Sequence, residues 1–281
     1  MGVMQTKGDF EVLAVDYFQH AHADGVAHAE VFFDPQAHLS RGVSYETVLA
    51  GFTSAREHAE KQFGISSELI CCFLRHLPVS ECLATYELEK VQASFRSGSV
   101  IAIGLDSSEL GFEPSQFKDL YQKAKDSGIK RTAHAGEEGP VSYIRDAVHV
   151  LDVERIDHGI RLAEDPELME QMAAKGTMLS VCPLSNVLLR CVGSVAELPI
   201  RKFLDAGVQF SINSDDPAYF GGHYILDNYC AVQEAFSLSI AEWRSICEAS
   251  IKGSWCSEGR KSELLRKLDD VLQEWQAIEQ P

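Results

Sequence analysis

The chain has 281 residues, of which 45% are hydrophobic, enough to build a large buried core. Lysine and arginine number 25 against 42 aspartates and glutamates, so the formal net charge at pH 7 is −17. Because a field of that sign repels phosphate groups, it argues against nucleic acid and anionic membranes as partners and favours a small neutral or weakly cationic molecule.

Short apolar runs that end in polar residues, glycine or proline predict seven β-strands. In chain order they are residues 28–35, 69–76, 100–109, 131–137, 155–159, 178–186 and 209–217. Apolar residues at helical spacing predict helices over residues 10–23, 45–63, 114–127, 141–151, 165–175, 200–206, 225–237, 240–250 and 258–278. Alternation of strand and helix is typical of a parallel sheet, and no linker divides the sequence, so residues 1–281 are predicted to form a single domain.

The polar ends of these strands predict how the sheet is arranged. Several strands end in His, Asp, Asn or Ser, as in an α/β (β/α)8 barrel (TIM barrel), where reactive groups come from the C-terminal ends of different strands. Seven strands are one fewer than a closed barrel needs, and the sequence opens with a helix that leads directly into a strand. We therefore expect an N-terminally incomplete barrel with its first strand missing, C-terminal helices, and an open edge beside residues 28–35 and 209–217.

The cysteines and the apolar stretches indicate where the protein works. The eight cysteines have no C-x-x-C spacing and lie mostly in apolar runs, as Cys71, Cys72, Cys182 and Cys230 do, so they are predicted to be reduced and buried. No apolar stretch approaches the roughly 20 residues that cross a bilayer, and the polar start is unlike a signal peptide. We expect a cytoplasmic or nuclear protein; the sequence sets no oligomeric state.

Several strand ends carry residue types that bind metals or move protons. Zinc binds imidazole and carboxylate, which makes His134 and Asp215 candidate ligands. Glu137 lies three residues beyond His134, where the strand turns into its loop, and can transfer a proton. Asp215 and Asp216 are consecutive, so a regular strand would point them to opposite sides. Each candidate also has a purely structural alternative. His134 fits a core histidine and Glu137 a solvated loop acid, and Asp215 with Asp216 fits a helix N-cap pair ahead of Pro217.

Four strings in particular resemble a known family. They are Thr-Ala-His-Ala-Gly-Glu at 132–137, Arg-Ile-Asp-His-Gly at 155–159, Cys-Pro-Leu-Ser-Asn at 182–186 and Asn-Ser-Asp-Asp-Pro at 213–217. Their order and placement resemble the adenosine/adenine deaminase family of zinc-dependent amidohydrolases, over nearly the whole chain. Phe-Phe-Asp-Pro-Gln at 32–36 and the run at 215–222 are similar to the adenine deaminase branch, particularly its fungal members.

The resemblance implies a zinc-dependent purine deaminase that hydrolyses adenine to hypoxanthine and ammonia in purine salvage. It implies one zinc ion per chain with His134 and Asp215 among its ligands, and a water activated by the metal. Glu137 would protonate the purine N1, His158 would orient the attacking water and stabilise developing negative charge, and Asp216 would contact N7. Two alternatives stay open: adenosine as the substrate, or a catalytically inactive, truncated homologue that acts by binding.

The tripeptide His20-Ala21-His22 has the spacing of the family's other two zinc ligands, a His-x-His on the first strand. It lies within the predicted helix 10–23, and residues two apart on a helix do not share a face. We therefore predict that His20 and His22 are surface histidines. The two further ligands are then absent from this sequence, and the chain is expected to hold zinc weakly.

Two other strand ends carry polar residues for which the sequence gives weaker evidence of a functional role. Ser185 and Asn186 are predicted to support their loop rather than to contact substrate. Residues 106–109, Asp-Ser-Ser-Glu, end the third predicted strand and receive no role from the resemblance.

Overall fold

The structure is a computed structural model that describes residues 2–279. It divides into two compact units, Met1–Arg161 and Leu162–Pro281, called here the first and second units. Within residues 2–279 no helix combines the length and the apolar character needed to cross a membrane. The single-domain organisation expected from the sequence stays a prediction.

The first unit alternates strands and helices. Its strands are β1 (His28–Phe33), β2 (Ser66–Leu74), β3 (Ala102–Asp106), β4 (Lys130–Ala135) and β5 (Arg155–His158). Its helices are α1 (Lys7–Ala23), α2 (Gln36–Leu39), α3 (Tyr45–Phe63), α4 (Val79–Tyr86), α5 (Glu89–Ser97), α6 (Lys118–Asp126) and α7 (Val141–His149), with a 3-10 turn at Pro114–Phe117. Neighbouring strands pair in parallel in sequence order, so the carboxyl ends of all five lie along one edge.

The long pair α1 and α3 shows why the sequence forms these elements. The Ser44 side chain accepts from the Thr47 N–H and begins α3, and Gly64 ends it with a φ of 70°. A Cβ at Gly51 would lie 2.5 Å from the Phe10 Cβ and 2.7 Å from the Lys7 carbonyl oxygen. Glycine at this position therefore lets the two helices pack closely.

A buried ion pair joins two strands of the first unit that are not neighbours. Glu30 on β1 and Arg155 on β5 meet with an Nη1–Oε2 distance of 2.5 Å, and their side chains are 8% and 6% exposed. Removing one partner of such a pair leaves the other charge buried and strongly destabilises a fold. The pair therefore fixes β1 and β5 in one arrangement.

The second unit contains two strands and six helices among its described residues. Its strands are β6 (Met178–Val181) and β7 (Phe210–Ile212), which pair in parallel with Leu179 opposite Phe210. Its helices are α8 (Pro166–Lys175), α9 (Pro183–Leu188), α10 (Ile200–Ala206), α11 (Ile225–Phe236), α12 (Ile240–Gly253) and α13 (Glu258–Glu279), with a 3-10 turn at Val195–Glu197. A further 3-10 turn, Ile160–Glu164, contains the boundary between the units.

The seven predicted strands are confirmed, most of them shorter than predicted. The predicted strand 178–186 is wrong beyond Val181, because Pro183 begins α9. Proline suits the first turn of a helix, where its missing N–H would have no helical partner. Helices α2, α4 and α5 were not predicted. All eight cysteines are free, but Cys230 on α11 is exposed, so its predicted burial is wrong.

Candidate active site

The end of β4 carries two of the predicted site residues. His134 is the last residue but one of the strand, and Gly136 ends the strand with a φ of 74°. A Cβ at Gly136 would lie 2.4 Å from the Ile144 Cδ1 atom, so glycine is required both for the turn and for space. The turn places Glu137 in a buried position, 7% exposed.

Glu137 meets His158 at the end of β5. Ala135 is in register with His158, and the Glu137 Oε1 atom lies 3.3 Å from the His158 Nδ1 atom. His158 is 1% exposed and has a φ of 63°, a left-handed conformation that is rare outside glycine. Such strained residues cluster at functional sites. The first unit thus places a buried carboxylate against a buried imidazole, an arrangement suited to proton transfer.

His134 is held by a carboxylate that the sequence interpretation gave no role. The His134 Nδ1 atom lies 3.5 Å from the Asp157 Oδ2 atom, which also accepts a 2.7 Å hydrogen bond from the Thr132 hydroxyl. The rings of His134 and His158 are 4.9 Å apart. A carboxylate beside one ring nitrogen orients a histidine so that the other nitrogen can bind a metal. The signal available for Asp157 in the sequence was its place between Ile156 and His158 in the predicted strand 155–159.

Asp215 and Asp216 follow β7 in the second unit. Because β7 ends at Ile212, the expected alternation of these two residues along a regular strand is wrong. Asp215 is half-buried with a φ of 57°, and its Oδ2 atom accepts a 2.6 Å hydrogen bond from the Ser185 hydroxyl. Asp216 is exposed, and its carbonyl oxygen accepts the N–H of Tyr219. The turn after β7, rather than the strand, sets the direction of both carboxylates.

Ser185 and Asn186, both fully buried on α9, support the local structure as predicted. Ser185 holds Asp215, and the Asn186 carbonyl oxygen accepts the N–H of Cys191 at 2.8 Å. His20 and His22 lie exposed on α1, which confirms that they are surface histidines on a helix. The His22 ring stacks on Phe63 with the ring centroids 4.9 Å apart.

A second cluster of side chains that could bind a metal lies in the first unit. Ligand atoms of Asp34, Cys72 and Asp106 all fall within 4.8 Å of one another. Burial, reinforced by the charges of Asp106 and Asp34, raises the pKa of the Cys72 thiol well above its ordinary value. Burial therefore disfavours the thiolate, which is the form of cysteine that binds metals.

Comparison with known proteins places these residues in a family context. The chain matches the family model described as adenosine deaminase over residues 1–271. The adenine deaminase of Aspergillus fumigatus is 60% identical over 273 residues, which are 97% of this chain and 77% of that relative.

Solved structures give a similar result. The crystal structure of the adenine deaminase from Arthrobacter aurescens has a TM-score of 0.92 and 44% sequence identity, over 97% of this chain and 82% of that chain. An amidohydrolase from Burkholderia ambifaria, solved with bound Zn, has a TM-score of 0.87 and 28% identity, over 96% of this chain and 77% of that one. These likenesses confirm the predicted fold class, an α/β barrel of the metal-dependent hydrolase type.

Proposed function

Since this chain belongs to the adenosine deaminase family, we propose that its site serves the hydrolysis of adenine to hypoxanthine and ammonia, as a step of purine salvage, in a protein that also carries the family-type His-x-His strand. The relatives that support adenine rather than adenosine are named adenine deaminases, at 60% identity for the one from Aspergillus fumigatus. The observation that carries the chemistry is the buried contact of Glu137 with His158.

We propose one zinc ion per chain, with His134 and Asp215 among its ligands. Imidazole and carboxylate are donors that zinc accepts, and the zinc-containing amidohydrolase from Burkholderia ambifaria supports a metal in this fold. Within their own units each side chain is held by a neighbour, His134 by Asp157 and Asp215 by Ser185. When bound, the metal would supply Lewis-acid activation of water.

The side chains of the site would transfer a proton of the reaction and bind the substrate. Water adds to C6 of adenine as its first proton passes to N1. The remaining hydroxyl proton then passes to the amino nitrogen as the bond between C6 and that nitrogen breaks, which releases ammonia and leaves the C6 carbonyl of hypoxanthine. Glu137 takes the proton from water and delivers it to N1. His158 donates a hydrogen bond where negative charge develops on the attacking oxygen, and Asp216 contacts the purine at N7.

The test uses two proteins: the chain as it stands, and the same chain joined at its N-terminus to a family-type strand with the His-x-His pair. With zinc added, each is assayed for ammonia release from adenine and from adenosine, with hypoxanthine and inosine separated by chromatography. We expect zinc binding and adenine turnover from the extended protein, and weak zinc binding without measurable turnover from the chain as it stands.

Two other results would change the proposed function. Preference for adenosine in the extended protein would replace adenine as the proposed substrate. If the extended protein held stoichiometric zinc but turned over neither purine, this result would favour a catalytically inactive homologue that acts by binding.

A further inference from the structure

The carboxylate of Glu109 holds the loop that follows β4. Glu109 comes three residues after the end of β3, is 1% exposed, and accepts three backbone N–H groups from this loop. The Gly136 N–H lies 3.1 Å and the Gly139 N–H 2.6 Å from its Oε2 atom, and the Glu137 N–H lies 3.3 Å from its Oε1 atom. Both oxygens of one buried carboxylate therefore bind the turn that contains Glu137.

The approach of Glu109 depends on glycine at position 139. A Cβ there would lie 2.6 Å from the Glu109 Oε2 atom and 2.5 Å from the Tyr143 ring. The loop is thus shaped so that its backbone reaches the carboxylate directly. An apolar side chain in place of Glu109 would leave three loop N–H groups without their acceptor.

A buried arginine holds the other side of the same strand end. Arg75, 1% exposed, donates to the His134 carbonyl oxygen at 2.7 Å and to the Phe112 carbonyl oxygen at 2.6 and 2.9 Å. Burial lowers the pKa of Arg75, and the negative charge of Glu109 opposes that change. The pair therefore binds the backbone on both sides of Ala135, with Arg75 at His134 and Glu109 at Gly136 and Glu137.

We propose that Glu109 is the positioning residue of the site, which fixes the backbone of Glu137 so that its carboxylate meets His158. This inference rests on the proposed function, because it assigns Glu109 a role toward the residue that would carry the proton. The Glu109 carboxylate accepts backbone N–H groups of the loop, so its effect on the site is transmitted through Glu137. Glu109, the last residue of the stretch 106–109, thereby gains a role that the sequence interpretation left open.

Nuclear magnetic resonance tests the proposal on the chain as it stands. In the unmodified chain the amides of Gly136, Glu137 and Gly139 should exchange with solvent slowly. Glu109→Gln, which keeps the shape but loses the charge and one acceptor oxygen, should speed their exchange by about 10- to 100-fold. It should also shift the His158 ring ¹⁵N signals toward those of Glu137→Gln, in which the carboxylate is lost directly.

Glu113→Gln is the matched control, an exposed acid further along the same connection, and should change neither readout. Unprotected amides in the unmodified chain would overturn the proposal without any variant, even if Glu109→Gln failed to fold. Unaltered His158 signals in a folded Glu109→Gln protein would reduce Glu109 to a structural residue. Neither measurement depends on catalysis, so an extended protein that failed to deaminate adenine would overturn only the proposed function.

Discussion

Replacing Gly136 by alanine should destabilise the first unit for two separable reasons. At a φ of 74° an alanine pays about 1–2 kcal/mol for the left-handed conformation. Its Cβ would also lie 2.4 Å from the Ile144 Cδ1 atom and 2.7 Å from its Cγ1 atom, and overpacking of this kind costs about 1–3 kcal/mol. The free energy of unfolding, measured by urea titration followed by circular dichroism, should fall by about 2–5 kcal/mol.

Gly98→Ala provides the matched control. Gly98 ends α5 in the same unit with the same φ of 74°, and no atom lies within 4 Å of its would-be Cβ, so only the conformational cost of about 1–2 kcal/mol applies. In an Ile144→Val background, which removes the nearest methyl group, Gly136→Ala should cost at least about 0.5 kcal/mol less than in the unmodified chain. Equal losses for the two glycine variants, together with additivity in the valine background, would refute the steric reasoning.

Three further predictions concern the extended protein with the His-x-His strand. Glu137→Gln should keep zinc and purine binding but lower turnover by about two to four orders of magnitude; near-normal turnover would remove Glu137 from the mechanism. Asp215→Ala should empty the zinc site in metal analysis, whereas Asp216→Ala should keep zinc but weaken adenine binding in titration calorimetry; loss of zinc from both, or from neither, would contradict the two roles. His20→Ala combined with His22→Ala should leave zinc content and turnover unchanged, because both residues are exposed on α1; loss of zinc would make them ligands.

Strongly periodic segments could be predicted from the sequence. Helix α3 was predicted at its observed bounds because a serine N-cap and a terminal glycine enclose a regular apolar pattern. Helices α4 and α5 were not predicted. Pro78 and Leu88 precede them, and neither supplies a side-chain cap. Because these helices are short and lack such a cap, packing against the rest of the unit stabilises them, and no local sequence pattern marks them.

Site residues could be predicted from the sequence only where a residue type suited to metal binding or proton transfer lies at the end of a predicted strand. His134 and Glu137 end an apolar strand, and the structure places Glu137 against His158. Arg75 and Glu109 bind backbone groups that are distant in sequence, and no local pattern reveals such partners. A charged residue next to a strongly apolar strand was nevertheless a usable signal, because a buried charge has to find partners.

The ion pair between Glu30 and Arg155 has a consequence for how the protein is made. The two residues are 125 positions apart. At about 5–20 residues per second, a ribosome that has added Glu30 needs about 6–25 s more before it adds Arg155. During that time the glutamate lacks its arginine partner, and burying it without that partner is costly. Strand β1 therefore reaches its final place only after β5 has been synthesised, and the newly made first unit depends on protection from aggregation until then.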